Sequence, residues 1–149
     1  MAFSLETIDA AVLAYLRTTV FPGQTVHEQA VADDTLLERG PNGAVIPYVT
    51  YAMGDLQQWG SHSFTGPMGD DYVFPIHLKI VVPGDGVGVG KKLYANCISR
   101  MLGVGFAWAG EIKKRAGGLQ FPIKKSDGSV EAIVFPVSFG LDIQLSMSA

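Results

Sequence analysis

The sequence FPVSFGLDIQL, residues 135–145, carries an apolar side chain at every second position from Phe135 to Leu145. Successive side chains of a β-strand point to opposite faces, so this pattern predicts a long strand with one face in the core. Gly140, inside the run, predicts a bulge or a bend. Residues 71–82 predict a second such strand, with the apolar positions Ile76, Leu78, Ile80 and Val82.

Two segments with helical spacing accompany these strands. Ser4 is a good N-cap, and the apolar positions that follow it recur at the spacing of one helix face until the sequence FPG at residues 21–23. A second helix is predicted over Gly90–Leu102, before Gly103. Its apolar stripe consists of Leu93, Tyr94, Cys97, Ile98, Met101 and Leu102.

Shorter strands are predicted at Val26–Val31 and Ala44–Met53, where Pro47 indicates a sheet edge or a strand end. The sequence SDGS at residues 126–129 contains Asp-Gly, a strong hairpin signal. Residues 1–149 therefore predict one α+β domain. Its sheet is mainly antiparallel, with two helices packed on one face and a β-hairpin extension.

The composition indicates a large core and a partly covered surface. Of the 149 residues, 48% are hydrophobic and only 17% are charged, which is low for a lone soluble monomer. No apolar run approaches the length of about 18 residues that spans a bilayer, and the first ten residues lack the pattern of a secretory signal. We therefore expect a protein that assembles in the cytoplasm without a membrane partner.

The charge of −3 is unevenly distributed along the chain. Residues 1–90 carry ten acidic and three basic side chains, whereas residues 91–149 carry four acidic and eight basic ones. A general nucleic-acid binder would be basic throughout its footprint, so this class is disfavoured. The division indicates either a subunit with an acidic and a basic side or ordinary scatter.

The glycine-rich sequence PGDGVGVGKKLY, residues 83–94, raises the question of a phosphate site. A P-loop would need glycine at Asp85 and Ser or Thr at Lys92. The dinucleotide fingerprint would need glycine at Val89, Lys91 or Leu93, depending on the register. We therefore predict a mobile connector that touches a neighbouring subunit, and no cofactor.

The remaining candidates for chemistry are weak. His62, Asp70, Asp71 and His77 would suit a divalent ion if the chain brought them together, but none has a recognised metal spacing. Cys97 lies in the apolar stripe of the second helix, which favours a small buried side chain over a nucleophile. No catalytic residue and no metal ligand is predicted.

Two groups of residues are candidates for contacts with partners. Residues 54–71 form a long aperiodic loop that contains Trp59, Phe64 and Met68, residue types favoured at interfaces. A basic group lies on two strands that are expected to pair around residues 117–118, where it would face DNA phosphates, an acidic partner or solvent. Its members are Lys113, Lys114, Arg115, Lys124 and Lys125.

The order of these segments resembles the tail terminator proteins of long-tailed, siphovirus-type bacteriophages. The most telling segment is PYVTYAMG at residues 47–54, followed by the alternating strand YVFPIHLKIVVP at 72–83. The helix KKLYANCISRMLG at 91–103 and the strand FPVSFGLDIQLS at 135–146 complete the likeness, which covers most of the chain.

The resemblance implies a structural virion protein and no enzyme. Tail terminators form a hexameric ring that caps the head-proximal end of the tail tube, stops its polymerisation and joins it to the neck protein. DNA passes through the lumen without sequence-specific binding. The expected interface residues are Trp59, Phe64, Met68, Gly84, Asp85, Gly86, Val87, Gly88 and Val89.

Two alternatives stay open at this point. Within the same assembly, the chain would be a head-completion or neck adaptor protein, or another minor tail protein. In a different class, it would be a small nucleotide- or phosphate-binding enzyme that uses the loop Gly84–Lys92.

Overall fold

The computed structural model describes residues 4–28, 39–54, 56–58, 71–105, 109–115 and 118–144. Helix α1 (Leu5–Tyr15) continues as a π-helical turn (Leu16–Val20), and helix α2 spans Val87–Met101. The strands are β1 (Thr25–Glu28), β2 (Tyr48–Met53), β3 (Gln57–Gln58), β4 (Asp71–Pro83), β5 (Ala109–Arg115), β6 (Phe121–Lys124) and β7 (Val130–Gln144). The α+β class predicted from the sequence is confirmed.

The strands form one seven-stranded sheet in the order β1-β2-β4-β7-β5, with β3 paired to β4 and β6 paired to β7. Only β1 and β2 pair in parallel, and the other pairs are antiparallel. The central pair, β4 with β7, runs without a register shift from Asp71 opposite Gln144 to Pro83 opposite Ala132. The mainly antiparallel sheet is therefore built around the two strands whose alternation is strongest in the sequence.

Strands β5 and β6 lie end to end along the same edge of β7. Because β4 occupies one edge of β7, both β5 and β6 must pair with the other edge. β5 lies opposite residues 138–143 and β6 lies opposite residues 130–134. The β6–β7 hairpin is closed by residues 125–129, where Gly128 has a φ of +89° and donates its N–H to the Lys125 carbonyl. The predicted hairpin is thus confirmed.

The helices cover one face of the sheet and bury the main core there. The apolar positions of β4 and β7 predicted from alternation belong to this core up to Ile143, and Leu145 lies outside the described residues. A smaller apolar cluster lies on the opposite face. It consists of Val45, Tyr48, Val81, Ile123, Ala132 and Val134.

The two helices are fastened to each other by a reciprocal contact. The Arg100 guanidinium donates to the carbonyls of Thr19 and Val20 at 3.3 and 3.1 Å, where the π-helical turn ends. In return, the Tyr15 hydroxyl donates to the Arg100 carbonyl at 2.7 Å. A cation at the carbonyl end of a helix is favourable, so Arg100 stabilises the end of the other helix as well as its own.

The element boundaries differ from the sequence predictions in three places. Strand β2 begins at Tyr48 rather than Ala44 and lies between β1 and β4, so Pro47 marks a strand end, as one of its two predicted alternatives has it, and no sheet edge. Strand β1 begins at Thr25 and is described as far as Glu28, while residues 29–31 lie outside the described part. Helix α2 begins at Val87, three residues before the predicted start. Neither described helix is long and apolar enough to cross a membrane.

Candidate functional site

The glycine-rich segment is a tight turn followed by a helix. Gly86 donates its N–H to the Pro83 carbonyl at 2.8 Å, and the helix begins at the next residue, so Val87, Gly88 and Val89 lie in its first turn. The predicted connector is therefore wrong in its extent, because the helix begins three residues before the predicted start. Only Gly84, Asp85 and Gly86 remain outside the regular elements.

Close packing explains why two of these positions are glycine. A Cβ on Gly90 would overlap the Phe135 ring, with the ring Cζ only 2.8 Å away. A Cβ on Gly84 would overlap the backbone of Val130, whose carbonyl carbon would lie 3.0 Å away. Glycine at these sites lets α2 and its preceding turn approach β7 closely. Gly88 differs, because a Cβ there would meet nothing within 4 Å.

The start of α2 is a poor site for a phosphate. Helix N-termini bind anions through backbone N–H groups and a partial positive charge. Here the exposed carboxylate of Asp85 stands one residue before the N-cap Gly86, where it repels an anion. Lys91 and Lys92 are exposed one turn further along the helix.

The basic residues predicted to cluster are separated by the topology. The predicted pairing of their two strands is wrong, because β5 and β6 both pair with β7. Arg115 lies opposite Ser138 and Lys124 opposite Val130, positions about 25 Å apart at the usual rise of a strand. Lys113, Lys114 and Arg115 thus form one exposed group, and Lys124 and Lys125 form another at the hairpin end.

On the face opposite the helices, part of the first basic group joins a polar row. His77 on β4 and Ser138 on β7 share a hydrogen bond of 2.8 Å between Nδ1 and Oγ. Arg115 is the register partner of Ser138 on the far side, and its stem crosses Gly140, where a Cβ would lie 2.9 Å from Arg115 Cδ. The β4–β7 ladder has no register shift at Gly140, so the bulge, one of the two features predicted there, is absent from that ladder. The role of Gly140 is to leave room for the Arg115 stem.

An acidic groove lies at the β1 end of the sheet, where sequence reasoning predicted no site. It has a volume of about 370 Å³ and lies between the start of α1 and the ends of β1 and β2. Its lining combines the carboxylates of Glu6, Asp9 and Glu28 with the apolar side chains of Leu5, Tyr51, Ala52 and Met53.

One of the three carboxylates is fixed from within the fold. Tyr51 is 1% exposed, and its hydroxyl donates to Asp9 Oδ1 at 2.5 Å. Burial raises the pKa of Tyr51 well above its usual value, and the hydrogen bond and charge of Asp9 raise it further. The phenol therefore stays protonated and holds Asp9 against the groove floor, while Glu6 and Glu28 are exposed at its rim.

A second groove lies at the opposite edge of the sheet, beside α2. It has a volume of about 320 Å³, and its lining includes Lys91, Tyr94, Leu119, Phe135 and Pro136. The Leu119 side chain, in the segment between β5 and β6, is 89% exposed. Phe121, two residues further on, is 41% exposed. This edge is therefore both basic and apolar.

The other candidates have different outcomes. Among the described residues, no group of three His, Cys, Asp or Glu side chains lies close enough to hold a metal ion. Of the proposed metal set, His62 and Asp70 lie outside the described residues, and His77 instead bonds to Ser138. The aromatic-loop candidates Trp59, Phe64 and Met68 also lie outside them.

Cys97 is fully buried in α2, which confirms its interpretation as a small core side chain. Burial raises the pKa of its thiol to about 12. Since the thiolate is the reactive form, the folded protein is expected to react with a thiol reagent at pH 8 about a thousandfold more slowly than the unfolded chain. The measurement is the rate of thiol modification with and without denaturant.

The same shift makes stability depend on alkaline pH. The folded-state pKa of Cys97 lies above its unfolded value, so the stabilisation is complete below pH 9 and is lost as the pH rises towards 12.

For the thiol-modification experiment, comparable modification rates in the native and denatured protein at pH 8 would contradict the burial of this thiol.

Comparison with the models of known protein families and with curated protein sequences finds no match to this chain.

Proposed function

We propose that this protein is a structural subunit of a bacteriophage tail, a tail terminator that acts by assembly rather than by catalysis. In this proposal, six copies form a ring on the head-proximal end of the tail tube. The ring stops tube polymerisation and joins the tube to the neck protein, and DNA passes through its lumen.

The observation that carries the proposal is the pair of grooves at the two edges of one sheet. Each groove combines apolar side chains with charge, and the charges are opposite at the two edges. Exposed apolar groups rimmed by polar ones mark interaction surfaces. A subunit with a different interaction surface at each edge is suited to closed rings, because each copy binds one neighbour on each side.

Two further features support a structural role. The α+β architecture agrees with the order of segments on which the resemblance rests. The exposed basic row of Lys113 and Arg115 on the sheet face opposite the helices offers a surface for a charged partner such as the tube, the neck or passing DNA.

The test is an assembly assay with purified tail tube protein. Addition of this protein to polymerising tube protein is expected to shorten the tubes and to place a ring at one end, as seen by negative-stain electron microscopy. Light scattering after size exclusion gives the subunit number. A strict monomer, both alone and with tube protein, would refute the proposal, and a ring at the capsid portal instead would establish the neck adaptor.

A further inference from the structure

The two grooves at opposite edges of the sheet carry opposite charge, and the exposed Leu119 projects beside the basic one. We infer that copies of this chain join head to tail, with Leu119 of one copy inserted into the acidic groove beside Met53 of the next. This inference rests on the proposed function, because it names the surfaces through which the ring subunits meet.

The basic edge presents a projecting apolar side chain. Leu119 is 89% exposed, and a leucine held so far into solvent gains most from burial against a partner. The exposed Lys91 lines the same groove as Leu119, so a cation accompanies this apolar projection. Phe121 extends the apolar surface along the edge strand β6.

The acidic edge presents the matching cavity. Its volume of about 370 Å³ falls in the range of about 300–1,000 Å³ in which pockets enclose ligand groups. Leu5 and the 39% exposed Met53 supply apolar lining, and Glu6 and Glu28 place two carboxylates at the rim. The Tyr51 hydroxyl donates a hydrogen bond to Asp9, which fixes the direction of this carboxylate at the floor.

The arrangement favours a second copy joined in one particular way. The grooves lie at the β1 and the β5–β6 edges of the same sheet, so one copy cannot close them on each other. A twofold dimer centred on either groove would place acid against acid or base against base, which is repulsive. A head-to-tail contact pairs acid with base at every junction and generates a ring when the rotation closes.

The first experiment uses one variant for each surface. Leu119→Asp removes the projection, and Met53→Asp places a charge in the groove. The control is Leu102→Asp at the end of α2, a residue 42% exposed against 39% for Met53. Light scattering after size exclusion is expected to show a ring for the wild type and for the control. Each of the other two variants alone is expected to be monomeric.

Mixing the two defective variants separates this inference from other interfaces. The Leu119→Asp copy keeps an intact groove and the Met53→Asp copy keeps an intact projection, so together they form a single good junction. The expected product is a one-to-one dimer that does not grow further. A mixture that stays monomeric, or a ring that persists in Leu119→Asp, would overturn the inference.

A charge exchange tests the electrostatic part. Glu28→Lys and Lys91→Glu are each expected to weaken association about tenfold, and the double variant is expected to recover it, because every junction then has its charges exchanged. If the wild type forms a ring and every one of these variants forms it equally well, the proposed contact surfaces are refuted, while the proposed ring function is not. A wild type that is monomeric alone and with tube protein would refute both.

Discussion

Gly90→Ala is expected to lower the free energy of unfolding by about 1–3 kcal/mol, which is the usual cost of overpacking a core. The added methyl group would overlap the Phe135 ring, which is 6% exposed and also packs against Tyr94 with ring centroids 6.5 Å apart. A ring held on several sides has little room to yield, so helix α2 must move away from the sheet.

Gly88→Ala is the matched control, and its effect has the opposite sign. Both glycines lie at the start of α2, but a Cβ on Gly88 meets nothing within 4 Å. Alanine there restricts the unfolded chain without straining the fold, which is expected to raise the free energy of unfolding by about 0.4–1 kcal/mol. Urea unfolding monitored by circular dichroism measures both variants. Equal shifts would mean that α2 does not pack on Phe135 as described.

Phe139→Ala is expected to cost about 3–5 kcal/mol of stability, the usual range for a buried phenylalanine. Phe139 is fully buried on β7, between Ile76 of β4 and Lys114 of β5. Its removal leaves a cavity in the main core beneath the helices. Since whole domains are stable by only about 5–15 kcal/mol, the loss would lower the melting temperature by roughly 10 °C.

Ser138→Ala provides the comparison for Phe139→Ala, because it changes the next residue on the opposite face. It removes only the hydrogen bond to His77, which is worth about 0.5–1.5 kcal/mol. Thermal unfolding by calorimetry measures both variants. A smaller loss of stability for Phe139→Ala than for Ser138→Ala would show that the main core does not lie on the helix-covered face of the sheet.

The long strands and the hairpin were predictable because their signals are local. Burial on one face forces the alternation seen from Phe135 onward, and the hairpin turn requires a residue such as Gly128 with positive φ. Ser4 likewise caps α1 through a bond from the Thr7 N–H to its hydroxyl. Each of these features is determined by a few neighbouring residues.

The extent of the connector in the glycine-rich segment was predicted wrongly, because glycine has two different uses in proteins. It gives the chain conformational freedom, and it also permits close approach between elements. At Gly90 the second use applies, and it depends on Phe135, a residue far away in the sequence. A single sequence does not specify that contact.

The candidate site was missed for a similar reason. Glu6, Glu28 and Met53 belong to three separate elements: the parallel pairing of β1 with β2 brings Glu28 towards Met53, and the packing of α1 adds Glu6. The basic residues were predicted to form one cluster that the structure does not contain. They lie apart because β5 and β6 follow one another along β7 instead of pairing with each other. Strand order is a long-range property that local patterns leave open.

The pairing of β4 with β7 has a consequence for how the protein is made in the cell. These strands form the centre of the sheet, yet they join residues as distant in sequence as Asp71 and Gln144. Such non-local pairing is slow to form, and a nascent chain that still lacks β7 has no partner for the inner edge of β4. The core therefore closes only after β7 has left the ribosome.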